Sequence, residues 1–150
     1  MPNDLRSFFP SLVETDGPHT GRFHYVSPNT DLMGWVLERA SGRRYADLVS
    51  ELLWKPMGAG NSAYITVDRL GAPRCAGGFC ATARDLVRLG LLIAEGGSYA
   101  GKEIIPSWWI DDILNAGDTH AWDVAISPNI SRVCPCTTAA NGTCCAATLR

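Results

Sequence analysis

The sequence Phe23-His24-Tyr25-Val26-Ser27-Pro28-Asn29-Thr30-Asp31-Leu32-Met33-Gly34-Trp35 joins a cluster of phenol, hydroxyl and amide side chains to the start of an apolar helix. Pro28 disfavours a helical conformation at Ser27, and Asn29 or Thr30 can cap a helix that begins near Asp31. We therefore expect Tyr25 and Ser27 to lie in an extended segment, two residues apart, with their side chains on the same side.

A phenol and an alcohol that point the same way are suited to proton transfer. Tyrosine ordinarily titrates near pH 10, so Tyr25 can act as a base at neutral pH only if a nearby cation stabilises the phenolate. The alternative is structural: Tyr25 is a half-buried aromatic residue whose hydroxyl bonds a backbone carbonyl, and Ser27 and Asn29 form a turn. The segment by itself leaves both interpretations open.

Working outward from this segment, apolar spacing and capping residues predict four helices and one strand. The first helix spans about 31–40, with Leu32, Trp35, Val36 and Ala40 on one face. The second spans about 45–54, with Leu48, Val49, Leu52 and Leu53 directed inward and Pro56 beyond its end. A strand is predicted at 63–67. The third helix begins with Thr82 and Asp85 as its capping residues and reaches Ala94. The fourth helix is capped by Ser107 and ends near Gly117.

The pair Gly77-Gly78 precedes the third helix. Two glycines at this place allow backbone to approach a substrate or an anion, and they equally suit a tight turn at a helix entry. No phosphate-loop lysine follows, which argues against a nucleotide site.

Three blocks of the sequence together resemble a known family. They are F-H-Y-V-S-P-N-T-D-L-M-G-W-V-L-E-R-A-S-G, G-G-F-C-A-T-A-R-D-L-V-R-L-G and G-G-S-Y-A-G-K-E-I-I. They resemble serine hydrolases of the class C β-lactamase and penicillin-binding-protein superfamily, especially its 6-aminohexanoate-dimer hydrolase and esterase branch. The resemblance implies that Tyr25 transfers the proton during acylation, that Ser27 is its hydrogen-bonding neighbour, and that Gly77 and Gly78 lie near the substrate.

The same resemblance implies a fold class: a predominantly α chain with short strands, which is a fragment of an α/β fold made of a helical region and an antiparallel sheet. It also implies a small amide or ester as substrate, cleaved through an acyl-serine intermediate without a cofactor or a metal.

The nucleophile motif of that family is absent from these residues. The family attacks with the serine of S-x-x-K, whose lysine supplies the positive charge that the tyrosine needs. No serine here has a lysine three positions later, and the two lysines, Lys55 and Lys102, are predicted at a helix end and in a glycine-bounded turn. We therefore expect Met1 to lie inside a longer gene and the isolated chain to be inactive.

The composition changes after Trp122. We expect residues 1–122 to form a partial serine-hydrolase domain and residues 123–150 to be a disordered tail that a frameshift produced. Four of the six cysteines lie in this tail. Reading the third base of each codon with the first two bases of the next gives R-G-D-F-A-E-H-F-P-G-M-P-M-H-Y-R-S-K-W-Y-V-L-R under permitted codon choices. This is a plausible soluble stretch that ends in a strand-like K-W-Y-V-L.

Bulk properties exclude some classes of protein. The net charge of −2 and the pI near 5.9 do not favour nucleic-acid binding. No stretch has the roughly 20 apolar residues of a membrane span, and no secretory signal is visible, so we expect a cytoplasmic location. A non-catalytic binding or scaffold protein and a zinc protein built on Cys134, Cys136, Cys144 and Cys145 remain as alternatives; the oligomeric state stays open.

Overall fold

The computed structural model describes residues 4–13 and 23–123, and these form helices of different lengths with two small antiparallel sheets. The helices are α1 (Leu5–Phe8), α2 (Ser27–Ser41), α3 (Tyr45–Val49), α4 (Ala83–Ala94), α5 (Ser107–Asn115) and α6 (Thr119–Asp123). A 3₁₀ turn (Phe9–Ser11) follows α1, and a π-helical turn (Ser50–Trp54) continues α3. The strands are β1 (Tyr64–Ile65) paired with β2 (Phe79–Cys80), and β3 (Ser98–Tyr99) paired with β4 (Lys102–Glu103). The predicted class, mainly helical with short strands, is confirmed.

Helix α2 begins at Ser27, four residues earlier than the sequence pattern predicted. Val26 is the extended capping residue, and Pro28 lies in the first turn. The prediction of an extended Ser27 was wrong because proline is well tolerated in the first helical turn, where its missing N–H has no intrahelical partner to lose. The helix ends at Ser41, close to the predicted end. Gly42 follows in the left-handed conformation, and its N–H donates to the Glu38 carbonyl.

The second predicted helix is present over 45–54, but its last part is π-helical. The N–H of Lys55 donates to the Ser50 carbonyl at 3.0 Å, five residues back. This wider turn departs from the period of 3.6 residues on which the inward position of Leu52 was predicted. Leu52 is accordingly 64% exposed, whereas Trp54 is buried.

The core is small and lies between the π-helical turn and α4. Trp54, Met57 and Leu92 are its buried side chains, and Leu53, Leu89 and Ile105 are among the partly buried residues around them. The Phe79 ring meets the Trp54 ring edge to face, with 5.2 Å between ring centroids. This contact fixes the β1–β2 pair against the core.

The predicted apolar face of α2 is only partly covered. Trp35 stacks on Phe9 from the N-terminal segment, with 5.9 Å between ring centroids, while Leu32 and Val36 are exposed. Glu38 reinforces the same contact because it accepts a hydrogen bond of 2.8 Å from the Arg6 guanidinium. The N-terminal segment thus covers one part of this face.

Helix α4 has the predicted start and end. The Thr82 hydroxyl accepts a hydrogen bond from Asp85 N, and Gly96 and Gly97 follow the helix with positive φ. Lys102, predicted in a turn, lies in β4 directly after the turn at Ala100 and Gly101.

Helix α5 begins at Ser107, which was predicted as its cap. Pro106 occupies the capping position, and no side chain caps the helix there. Within residues 4–13 and 23–123, no helix combines the length and hydrophobicity that crossing a membrane requires.

Candidate active site

Tyr25 and Ser27 lie on either side of the start of α2. Tyr25 is in the irregular segment before the helix and is 54% exposed, while Ser27 is the first helical residue and is partly buried. Phe23 N donates to the Ala121 carbonyl at 2.9 Å, so this segment is anchored to α6. The phenol is therefore accessible from solvent next to an ordered helix start.

Asp31, one turn after Ser27, links α2 to the loop that leads to the glycine pair. Its carboxylate is 4% exposed and accepts a hydrogen bond of 2.9 Å from Ala76 N. The Arg74 guanidinium lies 3.4 Å from the other carboxylate oxygen. Asp31 therefore connects Ala76, the residue before Gly77, to α2, the helix that follows Tyr25.

Sequence reasoning missed this role, because Asp31 was interpreted only as a residue near the start of a helix. The available signal was an acidic side chain inside an otherwise apolar helical stretch, which needs a partner when it is buried.

The two glycines have different surroundings. Gly78 is buried, and a Cβ there would overlap the Thr66 hydroxyl and lie 2.6 Å from the Arg74 carbonyl oxygen. Its N–H donates to that same carbonyl at 2.8 Å. Gly77 is exposed, with open space around it. Gly78 is thus required by close packing, and Gly77 is the member of the pair that has room for another group.

The same loop carries a second cluster, in which Cys75 packs against Gly34 and Tyr45. Burial, followed by the charges of Asp31 and Glu38, raises the pKa of the Cys75 thiol to about 11. Burial also raises the pKa of Tyr45. Because the thiolate is the reactive form of cysteine, a thiol with this pKa is a poor nucleophile at neutral pH.

A Tyr25 phenolate would need a nearby cation, and the two lysines are the candidates considered for that role. Lys55 lines a cavity beside the π-helical turn and Lys102 lies in β4. In the part of the chain that the structure describes, no hydrogen bond joins either lysine to the Tyr25 hydroxyl.

Across residues 4–13 and 23–123, no three His, Cys, Asp or Glu side chains are grouped as a metal site requires. The tail cysteines Cys134, Cys136, Cys144 and Cys145 lie outside the described residues.

Comparisons with known proteins cover most of this chain. The beta-lactamase family model matches residues 10–108, which include Tyr25, Ser27, Gly77 and Gly78. A 6-aminohexanoate-dimer hydrolase of Paenarthrobacter ureafaciens is 38% identical over 120 residues, which are 80% of this chain and 30% of that protein.

Two solved structures resemble the fold. One, from Bacillus anthracis and provisionally assigned as a 6-aminohexanoate-dimer hydrolase, has a TM-score of 0.74 and 28% identity over 83% of this chain and 34% of that one. The other, from Bacteroides dorei DSM 17855 and provisionally assigned as a beta-lactamase, has a TM-score of 0.62 and 24% identity over 85% of this chain and 38% of that one. The chain therefore spans about a third of the length of each of these relatives.

Proposed function

The chain belongs to the beta-lactamase family, and on this basis we propose that it carries the tyrosine element of a serine hydrolase that cleaves a small amide or ester. The reaction passes through an acyl-serine intermediate, and Tyr25 moves the proton of the attacking alcohol. The single observation that carries this proposal is the position of Tyr25: its side chain is half-exposed within the matched region, at an anchored helix start.

The neighbouring residues have supporting roles in this proposal. Ser27 bonds the phenol or the substrate from the first turn of α2. Gly77 leaves room for substrate backbone or an acyl group, because the space around the position of its missing Cβ is open. Asp31 keeps the two elements together through its hydrogen bond to Ala76 N.

Catalysis by this scheme needs groups that the 150 residues do not contain. The sequence has no S-x-x-K, and a tyrosine with an ordinary pKa near 10 is protonated at neutral pH unless a cation is close. We therefore propose that the isolated chain forms no acyl-enzyme. Activity requires a serine and a lysine from polypeptide that corresponds to another part of the longer relatives.

The experiment has two arms. The isolated chain is incubated with a fluorescent penicillin and with an activated-ester probe, and we expect no covalent label. It is then co-produced with the remaining polypeptide of the Paenarthrobacter relative, and we expect labelling of a serine in that partner. Labelling of the isolated chain would contradict the requirement for outside groups.

The role of Tyr25 is tested in the complemented enzyme. Tyr25→Phe should lower turnover by about 10²- to 10⁴-fold, the usual contribution of a general acid or base. Tyr64→Phe is the matched control, because Tyr64 is also an exposed tyrosine but lies in β1. Equal turnover of the two variants would exclude Tyr25 as the proton-transfer group.

We also propose that residues 123–150 result from a frameshift near Trp122. The nucleotide sequence of the gene tests this directly: the shifted frame should stay open and encode the predicted K-W-Y-V-L segment. Stop codons in that frame, or loss of all similarity to the relatives, would refute the frameshift.

A further inference from the structure

A cavity of about 400 Å³ lies between the α3 helix with its π-helical turn, the loop at 59–63 and Phe79. Its volume falls within the roughly 300–1,000 Å³ that is usual for small-molecule sites. Its described lining residues include none of Tyr25, Ser27, Gly77 and Gly78. The residues that line this cavity are therefore different from the four residues proposed for hydrolysis.

The wall of the cavity is mostly aromatic and aliphatic. Four rings contribute to it, from Tyr45, Trp54, Tyr64 and Phe79. The Trp54 indole N–H is already used, because it donates to the Asn61 carbonyl at 2.8 Å. A ligand would thus meet more apolar than polar surface along this wall.

Lys55 supplies the charged group of the described lining, which contains no carboxylate. Its side chain is exposed, and it forms no ion pair with any carboxylate of the described residues. A single cation beside an apolar wall complements a ligand that has one anionic end and an apolar body.

The loop side of the cavity is rigidly held. The buried Asp85 carboxylate accepts hydrogen bonds from Gly60 N at 2.8 Å and from the Asn61 amide at 3.0 Å. Thr82 and Arg88 donate to the same carboxylate from α4. A wall fixed in this way needs little ordering when a ligand binds, which favours affinity.

We propose that this cavity binds a free aliphatic monocarboxylate, with the hydrocarbon chain against the aromatic wall and the carboxylate at the Lys55 ammonium. A volume of about 400 Å³ lies in the lower part of the roughly 300–1,000 Å³ range of small-molecule sites. A chain of roughly ten non-hydrogen atoms therefore fits the space, and octanoate is a suitable probe.

The test compares octanoate with octanamide, which has the same shape without the charge, by calorimetry and equilibrium dialysis on the 150-residue chain. We expect one-to-one, saturable binding of octanoate, between about twofold and fivefold tighter than octanamide, as an exposed ion pair provides. Octylamine, which carries the opposite charge, should bind more weakly than octanamide.

The two lysines of the chain provide a matched pair of variants. Lys55→Gln should weaken octanoate binding by about twofold to fivefold and leave octanamide binding unchanged. Lys102→Gln, in β4, should change neither. Equal effects of the two substitutions on octanoate would overturn the assignment of the carboxylate to Lys55.

A blocking variant tests the location separately. Ala46 lines the cavity from α3 and is exposed, so Ala46→Phe should fill the space without altering charge, and binding of octanoate should fall by more than tenfold. Far-UV circular dichroism verifies that the variant is folded. Undiminished binding by folded Ala46→Phe, or non-saturable uptake by the unmodified chain, would overturn the proposal.

Discussion

The substitution Gly34→Ala gives a sharp test of how α2 packs against the loop at 74–76. Gly34 is buried within the helix, and the Cys75 sulfur occupies the place where a Cβ would be, so an alanine side chain would overlap it. Alanine is better than glycine in a helix by about 1 kcal/mol, whereas overpacking typically costs about 1–3 kcal/mol. The net expectation is a loss of stability of up to about 2 kcal/mol.

Gly90→Ala is the matched control, because Gly90 lies within α4 with no atom near its missing Cβ. There the helix preference acts alone, and we expect a gain of about 0.5–1 kcal/mol. Opposite signs for one chemical change at two helical glycines would identify packing as the cause.

A double-mutant cycle isolates the contact. In Cys75→Ala the sulfur is gone, and the new Cβ of Gly34→Ala would lie 3.4 Å from the Cβ at position 75, in ordinary contact. The double variant should therefore be more stable than the sum of the single effects predicts, by about 1–3 kcal/mol. Urea unfolding at pH 7, followed by circular dichroism, measures all four proteins. If Gly34→Ala stabilises as much as Gly90→Ala, the packing described for α2 is wrong.

Asp85→Asn should lower the midpoint of urea unfolding much more than Asp111→Asn. The Asp85 carboxylate is fully buried and accepts hydrogen bonds from four donors, whereas Asp111 is exposed and accepts one. Similar midpoints for the two variants would contradict a stabilising role of the Asp85 hydrogen bonds. The pKa of Asp85 is held below its usual 3.8, chiefly by the hydrogen bond from Gly60 N, so its stabilising effect is present above pH 3.8 and is lost as the pH falls below it. Acid titration should therefore bring the unmodified chain and Asp85→Asn closer in stability, and a constant gap would refute the linkage. At pH 8, iodoacetamide should modify Cys75 more slowly than the exposed Cys80, since burial raises the pKa of Cys75 to about 11. Peptide mass spectrometry measures both rates. Equal rates would contradict the burial of Cys75.

Local signals predicted the parts of the fold that depend on neighbouring residues. Thr82 and Asp85 were recognised as the start of α4 because a cap acts within one helical turn. The start of α2 was missed because Pro28 is compatible both with an extended preceding residue and with a first helical turn. The proline alone does not distinguish these two conformations.

Long-range pairing was beyond the reach of the sequence pattern. Asp85 looked like part of a cap, but its bonds to Gly60 and Asn61 join residues 25 and 24 positions apart. Asp31 similarly bonds Ala76 across 45 positions. Which backbone N–H meets a buried carboxylate is decided by tertiary packing, so the link between the Tyr25 helix and the glycine loop emerged only from the structure.

The hydrogen bond from Phe23 N to the Ala121 carbonyl places the entrance and the exit of a long stretch of chain side by side. Close chain ends are the geometry that favours insertion of a segment into a host protein. A graft of residues 23–121 would also have to replace the Phe9 ring on Trp35 and the Arg6 partner of Glu38, which residues 4–13 supply.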